Sequence, residues 1–198
     1  MATAPDTANP VPANLIRYII DPRKGSFTAQ AFATGMLSAF GHSPRIAIRE
    51  FSGEAQFAGS GSSIEDAHLK LTVQAHSLEV IDDMRDRDRM EIHRQMYDEV
   101  LEVDRFPEIT YECSQASGSS SGDSYSITLN GELALHGVSR PLAISARVVV
   151  SSDSLRASGE FMVSQNDFEI APVKVAAGAL KLKDEVKITF DIVARKQE

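Results

Sequence analysis

The stretch Ala67-His68-Leu69-Lys70-Leu71-Thr72-Val73-Gln74-Ala75 decides the fold. Ala67, Leu69, Leu71, Val73 and Ala75 alternate with His68, Lys70, Thr72 and Gln74, a period of two that puts apolar side chains on one face of a strand and polar ones on the other. One wet face and one dry face are the mark of a half-buried antiparallel strand. Downstream the same alternation returns in Ile109/Tyr111/Cys113, in Tyr125/Ile127/Leu129 continuing to Leu133/Leu135, in Leu142/Ile144/Ala146/Val148, in Leu155/Ala157/Gly159/Phe161/Val163 and in Val186/Ile188/Phe190/Ile192. Upstream, 16–20, 26–33, 45–49 and 53–58 carry it more weakly, so the chain predicts roughly eight to ten strands.

The separators Gly59-Ser60-Gly61-Ser62-Ser63 and Ser117 to Asp123 are polar and glycine-rich, and they read as hairpin tips. Short tips between alternating segments make neighbouring strands antiparallel in an up-and-down order. So many strands avoid long bare edges only by closing into a barrel or doubling into a sandwich. One segment departs from period two. In 88–103, Ile92, Met96 and Val100, with Met90, Tyr97 and Leu101, fall at helical spacings, which predicts an amphipathic helix. Asp88 and Glu91 are spaced as a capping box and Pro107 stops the segment soon after. The charge alternation from Asp82 to Arg89 reads as solvated surface. A short helix or irregular turn is placed at 34–40.

Composition bounds the function. The 198 residues are 42% hydrophobic, enough for one domain with a sizeable core. A formal net charge of -8 repels nucleic acid and anionic membrane surfaces. No apolar run approaches the ~18 residues of a spanning helix. Residues 1–14 contain Pro5, Pro10 and Pro12 and neither a basic nor an apolar signal region, so they read as a flexible tail ahead of a single domain at 15–198. The expected compartment is the cytoplasm, or the periplasm for a processed form. The one cysteine, Cys113, can form no internal disulfide and, in phase with Ile109 and Tyr111, is expected in the core.

Candidate chemistry is sparse. His68 is on the outward phase of its strand, and His76, eight residues on, would be roughly 26 Å away along an extended strand. His136 reads as a turn-end hydrogen bonder and His93 as a partly exposed neighbour of Arg89 and Tyr97. His42, in Phe40-Gly41-His42-Ser43-Pro44, is the best candidate for a general base or a head-group contact. No glycine-rich phosphate loop, nucleophile elbow or metal-ligand spacing is present, and neither a cofactor nor a catalytic residue is assigned.

Five short motifs in order carry a resemblance. They are Tyr18-Ile19-Ile20-Asp21, Phe51-Ser52-Gly53, Phe106-Pro107-Glu108-Ile109-Thr110-Tyr111, Leu133-Ala134-Leu135-His136-Gly137-Val138-Ser139-Arg140-Pro141, and Val163-Ser164-Gln165-Asn166-Asp167-Phe168-Glu169-Ile170. Over roughly 16–194 the chain resembles the YceI-like family. It departs where that family often has His-Ser after the first motif, here Pro22-Arg23, and where it has an Arg-Ser-x-Phe-Gly type segment, here Gln165 to Glu169.

The resemblance implies a lipocalin-like antiparallel β-barrel of about eight strands with one helix alongside. It also implies a non-catalytic carrier for a polyisoprenoid or similar long-chain lipid, often a homodimer; the lack of a long apolar run adds the expectation of no stable membrane insertion. On that reading the inward phases Leu69, Leu71, Val73, Ile109, Tyr111, Leu133, Leu135, Ile144 and Phe161 line the pocket. Phe168, helix residues Met96 and Val100, and loop residues Met36, Phe40 and His42 join them. Two other readings are a filled-barrel interaction or stress-related module and a small-molecule enzyme using His42.

Overall fold

The computed structural model describes residues 15–34, 43–58, 67–171, 174–175 and 180–197. The expected tail at 1–14, nearly all of the 34–40 turn, the tip at Gly59–Ser63 and the candidates Met36, Phe40 and His42 lie outside the described residues. The strands are β1 (Leu15–Thr34), β2 (Arg45–Ile48), β3 (Phe51–Ala58), β4 (His68–Gln74), β5 (Leu78–Val80), β6 (Glu108–Ser121), β7 (Ser124–Leu135), β8 (Val138–Val150), β9 (Ser154–Ser164), β10 (Lys174–Val175) and β11 (Leu180–Lys196). The helix α1 (Asp86–Gln95) continues into a π-helical turn, Met96–Val100.

Eight of these strands form a closed ring in chain order, β1-β3-β4-β6-β7-β8-β9-β11, which β11 completes by pairing antiparallel with β1 from Tyr18↔Lys196 to Thr34↔Lys181. Closure removes the edges that an open sheet of this size would expose. The predicted up-and-down barrel is therefore the fold. The remaining strands are extensions of the ring. Along the flank of β1, residues 15–19 pair with β3 and 28–30 with β2, so β2 and β3 are one interrupted strand. Likewise β4 pairs with β3, and β5, after the 3-10 turn Ala75–Ser77, pairs with β2.

Three sequence-based boundaries are corrected. Residues 16–20 and 26–33 are a single strand; Pro22 to Gly25 is a register shift against β11 and not a break. Gly25 holds φ +130°, and a Cβ there would sit 2.1 Å from the Asp191 carbonyl oxygen, so only glycine lets the two strands stay paired through the bulge. Second, Ser117–Ser121 is not a hairpin tip. It pairs with β7 down to Ser121↔Ser124, leaving Gly122 and Asp123 as the turn. Exposed serines complete a ladder because backbone groups, not side chains, make it. Third, the helix spans 86–100 rather than 88–103, and the capping box does not form. Its N-cap is Arg85, without a side-chain cap, while Asp88 accepts from Arg85 Nε at 2.8 Å and Glu91 accepts from Arg94 and Gln95.

Cys113 is 5% exposed, as its phase predicts, and its thiol donates to the Gln115 carbonyl at 3.0 Å beside a β-bulge at Ser114. Burial pushes this thiol above its ordinary pKa. Cys113 is accordingly expected to resist a water-soluble disulfide reagent at mildly alkaline pH and to react fully once denaturant is added; rapid labelling of the native protein would contradict its placement.

Candidate functional site: the barrel cavity

Inward phases of the eight ring strands do not fill the barrel; they enclose a cavity of about 530 Å³. That lies within the size range of small-molecule pockets. The predicted residues Leu69, Leu71 and Val73 on β4, Ile109 and Tyr111 on β6, Leu133 and Leu135 on β7, Ile144 on β8 and Phe161 on β9 stand on its wall. Met96 and Val100, from the π turn, cover it at the helix end. Phe168, 4% exposed in the 3-10 turn after β9, is not among the lining residues, whereas Gln165 and Ile170 on either side of that turn are.

Several lining residues were not singled out from the sequence. Ile20 and Phe27 of β1, Ile188, Phe190 and Ile192 of β11, and Ile92 and Leu101 flanking the helix end also line the cavity. For the strand residues the signal was present, since alternation in 26–33 and 186–192 fixes which side chains face inward. The wall is narrow in side-chain volume at Ala29, Ala31, Ala146, Ala157 and Ala194. Those alanines leave room that leucines would occupy.

The cavity's polar content is small. Among the described residues no Asp, Glu, Lys or Arg lines it. The Tyr111 hydroxyl, which burial pushes well above the usual tyrosine range, lies 3.0 Å from the Leu142 carbonyl oxygen and 3.1 Å from that of Leu129, so its proton is held by the wall. Gln165, 7% exposed, donates through Nε2 to the carbonyls of Lys183 and Asp184 at 3.0 Å each. Such a surface can offer dispersion and the hydrophobic effect to an apolar chain. Among the described residues no group of three or more His, Cys, Asp or Glu is placed to hold a metal ion.

His136 makes a junction at the helix end. With Gly137 it forms the two-residue turn between β7 and β8, at φ +53° and +76°, the left-handed pair that a type I′ hairpin requires. Its ring packs against Phe106 in a tilted arrangement, centroids 4.6 Å apart, with Nε2 2.8 Å from Glu102 Oε2 and Nδ1 3.3 Å from the Phe168 carbonyl oxygen. It is a turn-end hydrogen bonder as predicted, but its side chain is only 13% exposed instead of facing water. Glu102, itself at φ +45°, is held below the usual glutamate range by Arg105 and then by His136. A carboxyl with a lowered folded pKa contributes stability above its ordinary range and loses it as pH falls through the folded value. The wild type is therefore expected to lose thermal stability across that acid window more steeply than Glu102→Gln; parallel curves would remove Glu102 from the balance.

A closed eight-stranded antiparallel barrel around a largely apolar cavity defines the class: a lipocalin-like barrel. The YceI-like domain model matches residues 18–194, and the chain belongs to that family. A UPF0312 protein of Shewanella baltica is 29% identical over 141 residues, 71% of this chain and 66% of that protein, so the match leaves about a third of the curated relative uncovered. The fold is similar to Burkholderia cenocepacia BcnA, with TM-score 0.67 and 16% identity, covering 88% of this chain and 98% of that one. It is also similar to a polyisoprenoid binding domain from Saccharophagus degradans, with TM-score 0.64 and 13% identity, covering 91% and 98%. A Campylobacter jejuni YCEI protein matches with TM-score 0.57 and 16% identity over 77% of this chain and 85% of that one.

Proposed function

We propose that this protein is a non-catalytic carrier that holds a polyisoprenoid or similar long-chain lipid inside its barrel. The observation that carries the reading is the 530 Å³ cavity, walled by aliphatic and aromatic side chains from all eight ring strands. An eight-stranded barrel is wide enough either to be filled by side chains or to hold one small ligand, and an open interior favours the second. It counts against the filled-barrel interaction module. Each methylene moved from water into such a wall contributes ~0.8 kcal/mol, so a long chain gains affinity with few polar contacts. The polyisoprenoid-binding name of the Saccharophagus neighbour points the same way. Cytoplasmic location and a homodimer complete the proposal, to be checked by fractionation and light scattering.

Titration with the apolar fluorophore N-phenyl-1-naphthylamine tests the reading. The expected result is a saturable blue-shifted signal at one site per chain, displaced by a long-chain isoprenoid alcohol or quinone. A signal that neither saturates nor yields to any long-chain competitor would set the carrier aside.

A further inference from the structure

Between β5 and α1 the barrel wall is closed by side chains, with no backbone ladder among the described residues. β5 pairs with β2 on one side only, and the Ile81 N–H bonds back to the Arg45 carbonyl. In the alternate phase, Leu78 and Val80 therefore turn their backbone polar groups away from β2, toward α1. Side chains of the helix segment cap them. The Val80 N–H donates to His93 Nε2 at 3.1 Å, and the Tyr97 hydroxyl lies 2.6 Å from the His76 carbonyl oxygen and 2.8 Å from that of Leu78. His93 and Tyr97 are four residues apart, on one face of the helix segment.

Two side-chain contacts thus stand where a strand would make a ladder. No residue of Asp86–Gln95 is fully buried, and besides His93 the helix is tied to the segment after β5 by Arg89, which donates to the Asp82 carbonyl; Ile92 and Gln95 line the cavity and Met96, Val100 and Leu101 follow them there. Moving α1 outward opens the cavity sideways. The contact at His93 also has a chemical condition. To accept from Val80, Nε2 must carry a lone pair; a proton there sets two donors face to face and leaves the N–H of buried Val80 without a partner. His136, by contrast, faces an acceptor from each ring nitrogen.

We propose that the β5–α1 seam is an acid-opened side door: protonation of His93 at Nε2 releases α1 from β5, and ligand passes between them instead of through a barrel end. The helix pivots at the π turn, whose far side the Glu102–His136 contact holds. The charged groups around the seam are Glu79 of β5, paired with Arg49, and Asp82 after it, paired with Arg45. Arg89 on the helix donates to the Asp82 carbonyl and pairs with Asp86. The ligand part of the proposal rests on the carrier reading.

Stopped-flow release of N-phenyl-1-naphthylamine, measured at about pH 7.5 and at about pH 5.5, tests it. Wild type is expected to release the probe about tenfold faster in acid, the size of one lost hydrogen bond. His93→Gln keeps a neutral acceptor and should show no step, while Tyr97→Phe should release faster at both pH values and keep the step. A step that survives in His93→Gln, or its absence from wild type, overturns the proposal. If the probe does not bind at all, the carrier reading fails on its own, and amide exchange at Val80 still decides the seam. Exchange faster in wild type than in His93→Gln only in acid supports the door; equal rates at both pH values reject it.

Discussion

Leu71→Arg is expected to leave a folded barrel that no longer retains a long-chain lipid. Leu71 stands on β4 opposite Tyr111 of β6 and Gly53 of β3, half-buried, with its side chain on the cavity wall. An arginine there either projects a guanidinium into a space where no described lining residue offers a counter-charge, or swings to the rim and draws water with it. Both outcomes remove apolar wall from the ligand. Losing the burial of about four methylenes at ~0.8 kcal/mol each weakens binding at least about 100-fold. Leu135→Arg, near the helix end, should do the same. Circular dichroism and a thermal melt establish that the variant folds, and a folded Leu71→Arg protein with unchanged probe affinity would mean that the cavity is not the site.

Tyr18→Ala should be the most damaging single truncation in the barrel wall. Tyr18 is 1% exposed and lies where β1 meets both β3 and β11. Its ring stacks on Phe57 at 5.3 Å with an interplanar angle of 2°. Removing a large buried aromatic side chain costs roughly 3–5 kcal/mol because the surroundings relax only partly into the void. For a domain of this size that lowers Tm by roughly 10 °C or more. A melt within a few degrees of wild type would show that strand closure does not depend on the stack. Tyr18 opens the first of the five motifs in the resemblance, and its place explains that motif physically. Asp21, three residues on, accepts from Arg195 Nε at 3.2 Å and so helps fasten the same closure.

Much of this was legible because the fold is written in period two. Ala67 to Ala75 fixes the phase of β4, and the same pattern fixes which of Ile109 and Thr110, or of Leu133 and Ala134, faces inward. What failed did so for identifiable reasons. Pro22 and Gly25 look like a strand break, but a bulge uses the same residues. The serines of 117–121 look like a tip because side-chain composition does not register a backbone ladder. β5 is three residues long, too short for any periodicity, so the capping of Leu78 and Val80 by Tyr97 and His93 had no sequence signal at all. Phe168 sits in a three-residue 3-10 turn, whose side-chain directions follow no strand alternation, so the sequence pattern does not say which way it faces. The open interior was only half legible. Alanines at inward phases, such as Ala29, Ala31 and Ala146, hint at spare volume, but the volume itself is set by how eight strands close.

A cavity that holds a long-chain lipid should carry it through gentle purification, where native mass spectrometry followed by organic extraction would find it. The expected result is a stoichiometric adduct that extracts as an isoprenoid or other long-chain lipid and is missing from folded Leu71→Arg protein. A clean ligand-free mass that stays unchanged after incubation with quinones, polyprenols and fatty acids would contradict it.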